Sequence, residues 1–247
     1  MVNSEKLSIM DSWIRIAHRG ASRIAPENTL AAFKKAIEIG VDAVELDLHG
    51  TVDGEIVVIH DTSLDRTTNM CGPIKQTTLE TVKQADAGAW FNSAFEGEQV
   101  PTLAEALACI TGSAIAVLEI KDETIAKAVV QKIREMDLLE LTVIISFHTS
   151  VLQTVRALEP RIPTGWLIGS SNGYTHPIQL CQQLSTLGSS LLNVNHQLIT
   201  EEFAYEVRRR GITLWSWTVD DIDCMRQMRA FGVQGITSNN PERFSEV

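Results

Sequence analysis

Nine short apolar runs, separated for the most part by segments of helical period, limit what this chain can fold into more than any other feature. The runs are IRIAH (14–18), AVELDL (43–48), IVVIH (56–60), IAVLEI (115–120), TVIISF (142–147), TGWLI (164–168), LLNVN (191–195), ITLWSW (212–217) and VQGIT (233–237). Between most of them lie segments such as ENTLAAFKKAIEIG, ETIAKAVVQKIREMDLL and TEEFAYEVRRRG. Their apolar residues recur three and four apart, which is the period of an amphipathic helix. Strand–helix alternation of this kind predicts a parallel sheet covered by helices.

Nine strands are one too many for a closed eight-stranded barrel. Only His49 to Glu55 separate the second run from the third, and they include Gly50 and the pair Asp53-Gly54. A parallel crossover needs about a dozen residues or more, whereas Asp-Gly suits a hairpin turn. The run 56–60 is therefore expected to be an antiparallel excursion from the second strand. The remaining eight make a (β/α)8 TIM barrel, and 247 residues is close to the ~250 typical of that fold. Residues 61–102, with clustered Gly, Pro, Asn and Thr and no strong period until TLETVKQADAGAW, read as a loop-rich insertion before the third barrel helix. With no repeat, low-complexity tract or linker, residues 1–247 read as a single domain.

The formal net charge of −10 argues against nucleic acid or an anionic membrane as a partner, since both call for clustered Lys and Arg. The four cysteines are widely spaced without a CxxC pair, which suits neither a metal cluster nor a disulfide framework. The start of the chain has no long apolar core and no small-residue cleavage site. No segment reaches the ~18 apolar residues of a membrane span. A cytoplasmic protein without stable membrane association is the expectation.

In such barrels, chemistry collects at the carboxyl ends of the strands. The first strand delivers His18 and Arg19, followed by Gly20. The second delivers Glu45 and Asp47, which share a face because strand side chains alternate. The hairpin returns His60 to the neighbourhood of that strand, and the third barrel strand delivers Glu119 and Lys121. Trp217 ends the seventh. Neighbouring strands lie roughly 4.8 Å apart, so Glu45, Asp47 and Glu119 come within reach of one ion. Buried together they repel, and a cation among them removes the conflict. Oxygen ligands suit Mg²⁺ or Ca²⁺. A plain ion-pair network with Arg19 and Lys121 is the alternative at this point. His18 and His60 are candidate catalysts, although a strand-end histidine also packs in many cores. Of the others, His49 falls in the hairpin turn and is expected to be solvated. His148 is placed to line the cavity, and His176 and His196 fall in loops. Trp217 either contacts substrate or fills the barrel mouth. Asn28, in PENT, is expected to cap the first helix, with Glu27 beside it.

At these residues the sequence resembles the glycerophosphodiester phosphodiesterases. The resemblance is carried in order by AHRGASRIAPENTLAAF (17–33), VELDLHGTVDGEIVVIHD (44–61), LDRTTN (64–69), VPTLAEAL (100–107), LEIK (118–121) and WTV (217–219). It is similar to the cytosolic bacterial branch. The resemblance implies a barrel of the phospholipase-C-like phosphodiesterase type that hydrolyses glycerophosphodiesters, such as glycerophosphocholine or glycerophosphoethanolamine, to sn-glycerol 3-phosphate and an alcohol. It implies one divalent cation, Mg²⁺ or Ca²⁺, on Glu45, Asp47 and Glu119, acid–base catalysis by His18 and His60, and phosphate contacts from Arg19 and Lys121. Two departures stand out: Asp220 follows WTV where the family often has Asn, and TSNNP (237–241) replaces a usual TD pair. Both are expected at the barrel mouth, where they bear on substrate contacts more than on chemistry. The charge and the lack of an amphipathic anchor weigh against a lipid-cleaving enzyme of the same barrel type. The presence of both histidines weighs against a non-catalytic phosphate-ester binder.

Overall fold

The computed structural model describes residues 13–170 and 176–247. The expectation about a leader rests mainly on residues 1–12, outside that range. The strands are β1 (Ile14–Ala17), β2 (Ala43–Gly50), β3 (Ile56–Val58), β4 (Ile115–Ile120), β5 (Thr142–Ser146), β6 (Thr164–Ile168), β7 (Leu191–Asn195), β8 (Thr213–Trp217) and β9 (Gly235–Ser238). Eight of them pair in parallel in the order β1-β9-β8-β7-β6-β5-β4-β2, and β1 pairs with β2 to close the barrel. The ninth, β3, runs antiparallel on the far end of β2, with His49 opposite Val57. The excursion is thus where the short Asp-Gly turn required it.

Helices α1 (Leu30–Ile39), α3 (Leu103–Ile110), α4 (Ala126–Glu135), α5 (Thr149–Leu158), α6 (Pro177–Thr186), α7 (Glu201–Arg208) and α8 (Ile222–Ala230) follow the barrel strands, and α2 (Leu79–Val82) is a single turn. Among the described residues no helix is long and apolar enough to cross a membrane. Helix α3 follows the second barrel strand and its hairpin, so it is the second helix of the ring rather than the third. The segment 61–102 is mostly irregular. TLETVKQADAGAW supplies only α2, and the segment docks on β3 through a small cluster of its own (Val57, Ile59, Leu64, Ile74, Val82, Val100).

Strand alternation divides the side chains into two sets. Val44, Leu46 and Leu48 of β2 point outward into the apolar layer shared with the helices. Ile16, Ala43, Val117, Ile145, Leu167, Leu191 and Trp215 point inward and fill the barrel. Two residues further along each strand, the same inward face delivers His18 after Ile16, Glu45 and Asp47 after Ala43, and Glu119 and Lys121 after Val117. It likewise delivers Phe147 after Ile145, Asn193 after Leu191 and Trp217 after Trp215. The apolar plug and the polar site are successive layers of one pattern.

The turn after β1 depends on Gly20. Its φ is +79°, and a Cβ there would sit 2.7 Å from the Ala32 backbone, closer than a real Cβ approaches a carbonyl carbon. Gly20→Ala is expected to cost at least ~1–3 kcal/mol from the strained backbone alone. Thermal unfolding should register this as a clear drop in Tm, and an unchanged Tm would contradict the assignment.

Candidate active site

Beyond β1 the backbone departs from regular conformation. The His18 N–H donates to the Ser238 carbonyl (2.9 Å), tying β1 to β9. Arg19 takes φ 56° and Asn28 φ 58°, both in a region that few non-glycine residues enter. These turns aim the Arg19 N–H at Glu45 Oε2 (2.9 Å) and let Asn28 hold Asp47 twice: Nδ2 donates to Oδ2 (2.8 Å) and Oδ1 accepts from the Asp47 N–H (3.2 Å). Asn28 is therefore not the helix cap. Thr29 caps α1, and its Oγ1 accepts from the Ala32 N–H.

Glu45, Asp47 and Glu119 form a buried acidic group, each offering an oxygen within 4.8 Å of the others. Asp47 and Glu119 are direct cross-strand partners in the β2–β4 register. Arg19 Nε lies 3.2 Å from Asp47 Oδ2, and Lys121 Nζ lies 3.2 Å from Asp47 Oδ1 and 2.8 Å from Glu119 Oε1. Two cations thus face three carboxylates. Burial, then the charges of Asp47 and Glu119, raises the Glu45 carboxyl well above the carboxylate range. Burial and Asp47 push Glu119 up to about 7 against the pull of Lys121. Burial opposes ionisation of Asp47 too, yet Lys121 and Arg19 hold it well below its ordinary value.

The donor set fits a hard divalent cation. Glu45 Oε1 is buried without a hydrogen-bond partner, and Asp47 Oδ1 has no partner beyond its 3.2 Å ion pair with Lys121, an arrangement that is costly in an interior. Two oxygens on one ion at roughly 2.0–2.6 Å can be no more than about 5 Å apart, and the three ligand atoms satisfy this.

Each histidine has one ring nitrogen engaged. His18 Nδ1 meets Asn239 Oδ1 at 2.6 Å, and its Nε2 lies 3.9 Å from Glu45 Oε2. Burial, helped by Arg19, lowers His18 to about 4. His60 Nδ1 meets Asp61 Oδ1 at 2.7 Å, and burial lowers its pKa as well. Arg66 donates two hydrogen bonds to Asp61 and two to Glu27, which also accepts from Arg19. A chain of ion pairs, Arg19–Glu27–Arg66–Asp61, ending in the hydrogen bond between Asp61 and His60, therefore runs along one side of the site.

His18, Arg19, Glu45, His60, Glu119, Lys121 and Trp217 line one cavity, with Ile145, Phe147, Leu167, Asn193 and Thr237. Fully buried Asp47 reaches it through Arg19 and Lys121. Trp217 packs edge-on with Phe147 and donates from Nε1 to the Asn193 carbonyl, so it is held in place while it lines the cavity. A second cavity shares His60, Glu119, Lys121 and Phe147, and adds His49, Thr62, Ile120 and His148. His49 is not solvated: it is buried, and its Nε2 donates to the His60 carbonyl (3.1 Å). His148 stands at the rim, paired with Glu123. His176 starts α6 and His196 opens a short 3-10 turn; neither lines the two cavities. Asn239 touches His18 from behind and Asp220 touches Asn239, so the two bear on a histidine rather than on substrate. Asn28, Asp61, Arg66 and Asn239 take part in the site: Asn28 stands where a helix cap is expected, and Asn239 falls in TSNNP, which marks only a departure from the family pattern. Only Asp61, adjacent to His60, carried a visible signal.

The family described as "Glycerophosphoryl diester phosphodiesterase family" matches residues 18–243. A glycerophosphodiester phosphodiesterase of Caldanaerobacter subterraneus subsp. tengcongensis is 37% identical over 233 residues, covering 92% of this chain and 94% of that protein. One of Bacillus subtilis is 30% identical over 255 residues, covering 96% and 87%. Among solved structures, an Oleispira antarctica phosphodiesterase in complex with the product sn-glycerol-3-phosphate superposes with a TM-score of 0.84 at 28% identity, covering 94% of each chain.

Ion binding to this acidic group should release protons, because the raised Glu45 and Glu119 carboxyls must ionise to become ligands. Affinity for Mg²⁺ or Ca²⁺ is expected to tighten as pH rises towards about 7, where Glu119 titrates. Calorimetry in buffers of different ionisation heat measures this release. Binding that ignores pH, or no binding to chelator-treated protein, would contradict the assignment.

Proposed function

The chain belongs to the glycerophosphoryl diester phosphodiesterase family and is a glycerophosphodiester phosphodiesterase, and from that premise we propose a metal-dependent reaction with His18 and His60 as its acid–base pair. Glu45, Asp47 and Glu119 hold one divalent cation, Mg²⁺ or Ca²⁺. When bound, such an ion polarises a phosphoryl oxygen and offsets its charge. The buried acidic group of three carboxylates, each offering an oxygen within 4.8 Å of the others and with Glu45 Oε1 unpartnered, is the observation that carries this reading.

The substrate is a small glycerophosphodiester, such as glycerophosphocholine or glycerophosphoethanolamine, and its products are sn-glycerol 3-phosphate and the alcohol. Arg19 and Lys121 contact the phosphate. Arg19 spends Nη1 on Glu27 and Nε on Asp47, which holds its planar head in place and keeps Nη2 for a phosphoryl oxygen. With an ion on Asp47 and Glu119, Lys121, which now lies 3.2 Å and 2.8 Å from them, would be released to contact the phosphate. Both histidines have Nδ1 engaged, so Nε2 is the working atom of each. One ring takes a proton from the nucleophile and the other returns one to the departing alkoxide. The nucleophile is water, or the glycerol's own secondary hydroxyl with a cyclic phosphate formed first. The two cavities, which share His60, Glu119, Lys121 and Phe147, would take the two arms of a diester, with Trp217 against one of them.

An assay on glycerophosphocholine coupled to glycerol-3-phosphate dehydrogenase tests this directly. EDTA should abolish turnover, and Mg²⁺ or Ca²⁺ should restore it. His18→Ala and His60→Ala should each fold and lose roughly 10²–10⁴-fold in kcat, the share a positioned acid–base group supplies. Turnover that ignores EDTA would remove the ion from the reading, and near wild-type kcat in either variant would remove that histidine.

A further inference from the structure

Asp220 follows β8 and Asn239 follows β9, and their side chains meet behind His18. Asp220 accepts three hydrogen bonds: from Ser238 Oγ (2.9 Å) and the Asn239 N–H (2.8 Å) on Oδ1, and from Asn239 Nδ2 (2.7 Å) on Oδ2. Both backbones are anchored as well, since Arg243 donates to the Asp220 carbonyl (2.9 Å) and the Arg23 N–H to the Asn239 carbonyl (3.1 Å).

A carboxylate accepts and does not donate. The Asn239 amide nitrogen must therefore face Asp220, and its oxygen is turned the other way. There Oδ1 meets Ser22 Oγ (3.1 Å) and His18 Nδ1 (2.6 Å). An amide oxygen only accepts, so Nδ1 must carry the hydrogen, and in a neutral imidazole the other nitrogen is then bare.

We infer that Asp220 and Asn239 are a positioning pair that locks His18 in its Nδ1–H tautomer and turns a bare Nε2 into the cavity. Asn239 acts only through His18. The effect on turnover rests on the proposed role of His18; the tautomer does not.

Long-range ¹H–¹⁵N correlation spectra of the labelled enzyme at neutral pH, with His18→Gln to assign the ring, should show His18 protonated on Nδ1. Asn239→Leu is expected to lose this single tautomer and to lower kcat roughly 10–100-fold, the range seen when an orienting partner is removed, with KM little changed. Asn239→Asp alone sets two carboxylates against each other. Adding Asp220→Asn exchanges donor and acceptor across the same contact, and should restore the tautomer and most of the lost kcat. An Nε2–H tautomer in the wild-type protein would overturn the inference without any variant having to fold. So would an unchanged kcat in folded Asn239→Leu, or an exchange variant no better than Asn239→Asp. An Nδ1–H tautomer together with full turnover by His18→Ala would leave the inference standing and remove the catalytic role instead.

Discussion

Electrostatic repulsion among Glu45, Asp47 and Glu119 is the constraint on which the rest of the site depends. All three sit on the inward face of adjacent barrel strands, and Asp47 is fully buried. Carboxylates so placed cannot all ionise without compensating charge, since burial and mutual repulsion both favour protonation. Arg19 and Lys121 supply part of that charge and hold Asp47 ionised, while Glu45 and Glu119 remain raised. With all three ionised, as ligands would be, three carboxylates against Arg19, Lys121 and one divalent ion would leave a single positive charge. A phosphodiester carries a single negative charge, so a site loaded in this way would complement it within a chain of net charge −10. The local balance, and not the global one, decides what binds.

The surrounding loops hold this arrangement rigid. Asn28 fixes Asp47 with both ends of its amide, and the Arg19 N–H fixes Glu45. The ion-pair chain through Glu27, Arg66 and Asp61 reaches His60 from one side, and the Asp220–Asn239 pair reaches His18 from the other. Exposed ion pairs contribute little to stability, so the value of Arg66, which is partly exposed, lies in orientation. His49 adds a bond to the His60 carbonyl that steadies the end of the hairpin. Groups that act on a reacting phosphate need such support, because small misplacements cost rate steeply.

The barrel was legible because its signal is local. Alternation along each run separates plug from helix-facing layer, and the short connection with its Asp53-Gly54 pair identifies the antiparallel β3. Glu45, Asp47, Glu119 and Lys121 were legible for the same reason: each continues an inward face by two residues. Asn28 was not, since its position resembles that of a helix cap and its left-handed backbone is set by the turn it sits in. Asn239 was not, because it meets His18 across 221 residues of sequence, through the closure of β9 on β1. His49 looked like a solvated turn residue until β2 proved to run on to Gly50 and carry it inward. Contacts made by closure and by irregular turns leave no periodic trace.

A crystal soaked in Mn²⁺, a stand-in for Mg²⁺ or Ca²⁺ with a strong anomalous signal, bears most directly on the central claim. The account requires one anomalous peak bonded to Glu45, Asp47 and Glu119 together, with Lys121 drawn off at least one of its carboxylates. A peak elsewhere, or Lys121 still seated on both Asp47 and Glu119 with no ion among them, would show that lysine and arginine alone resolve the repulsion.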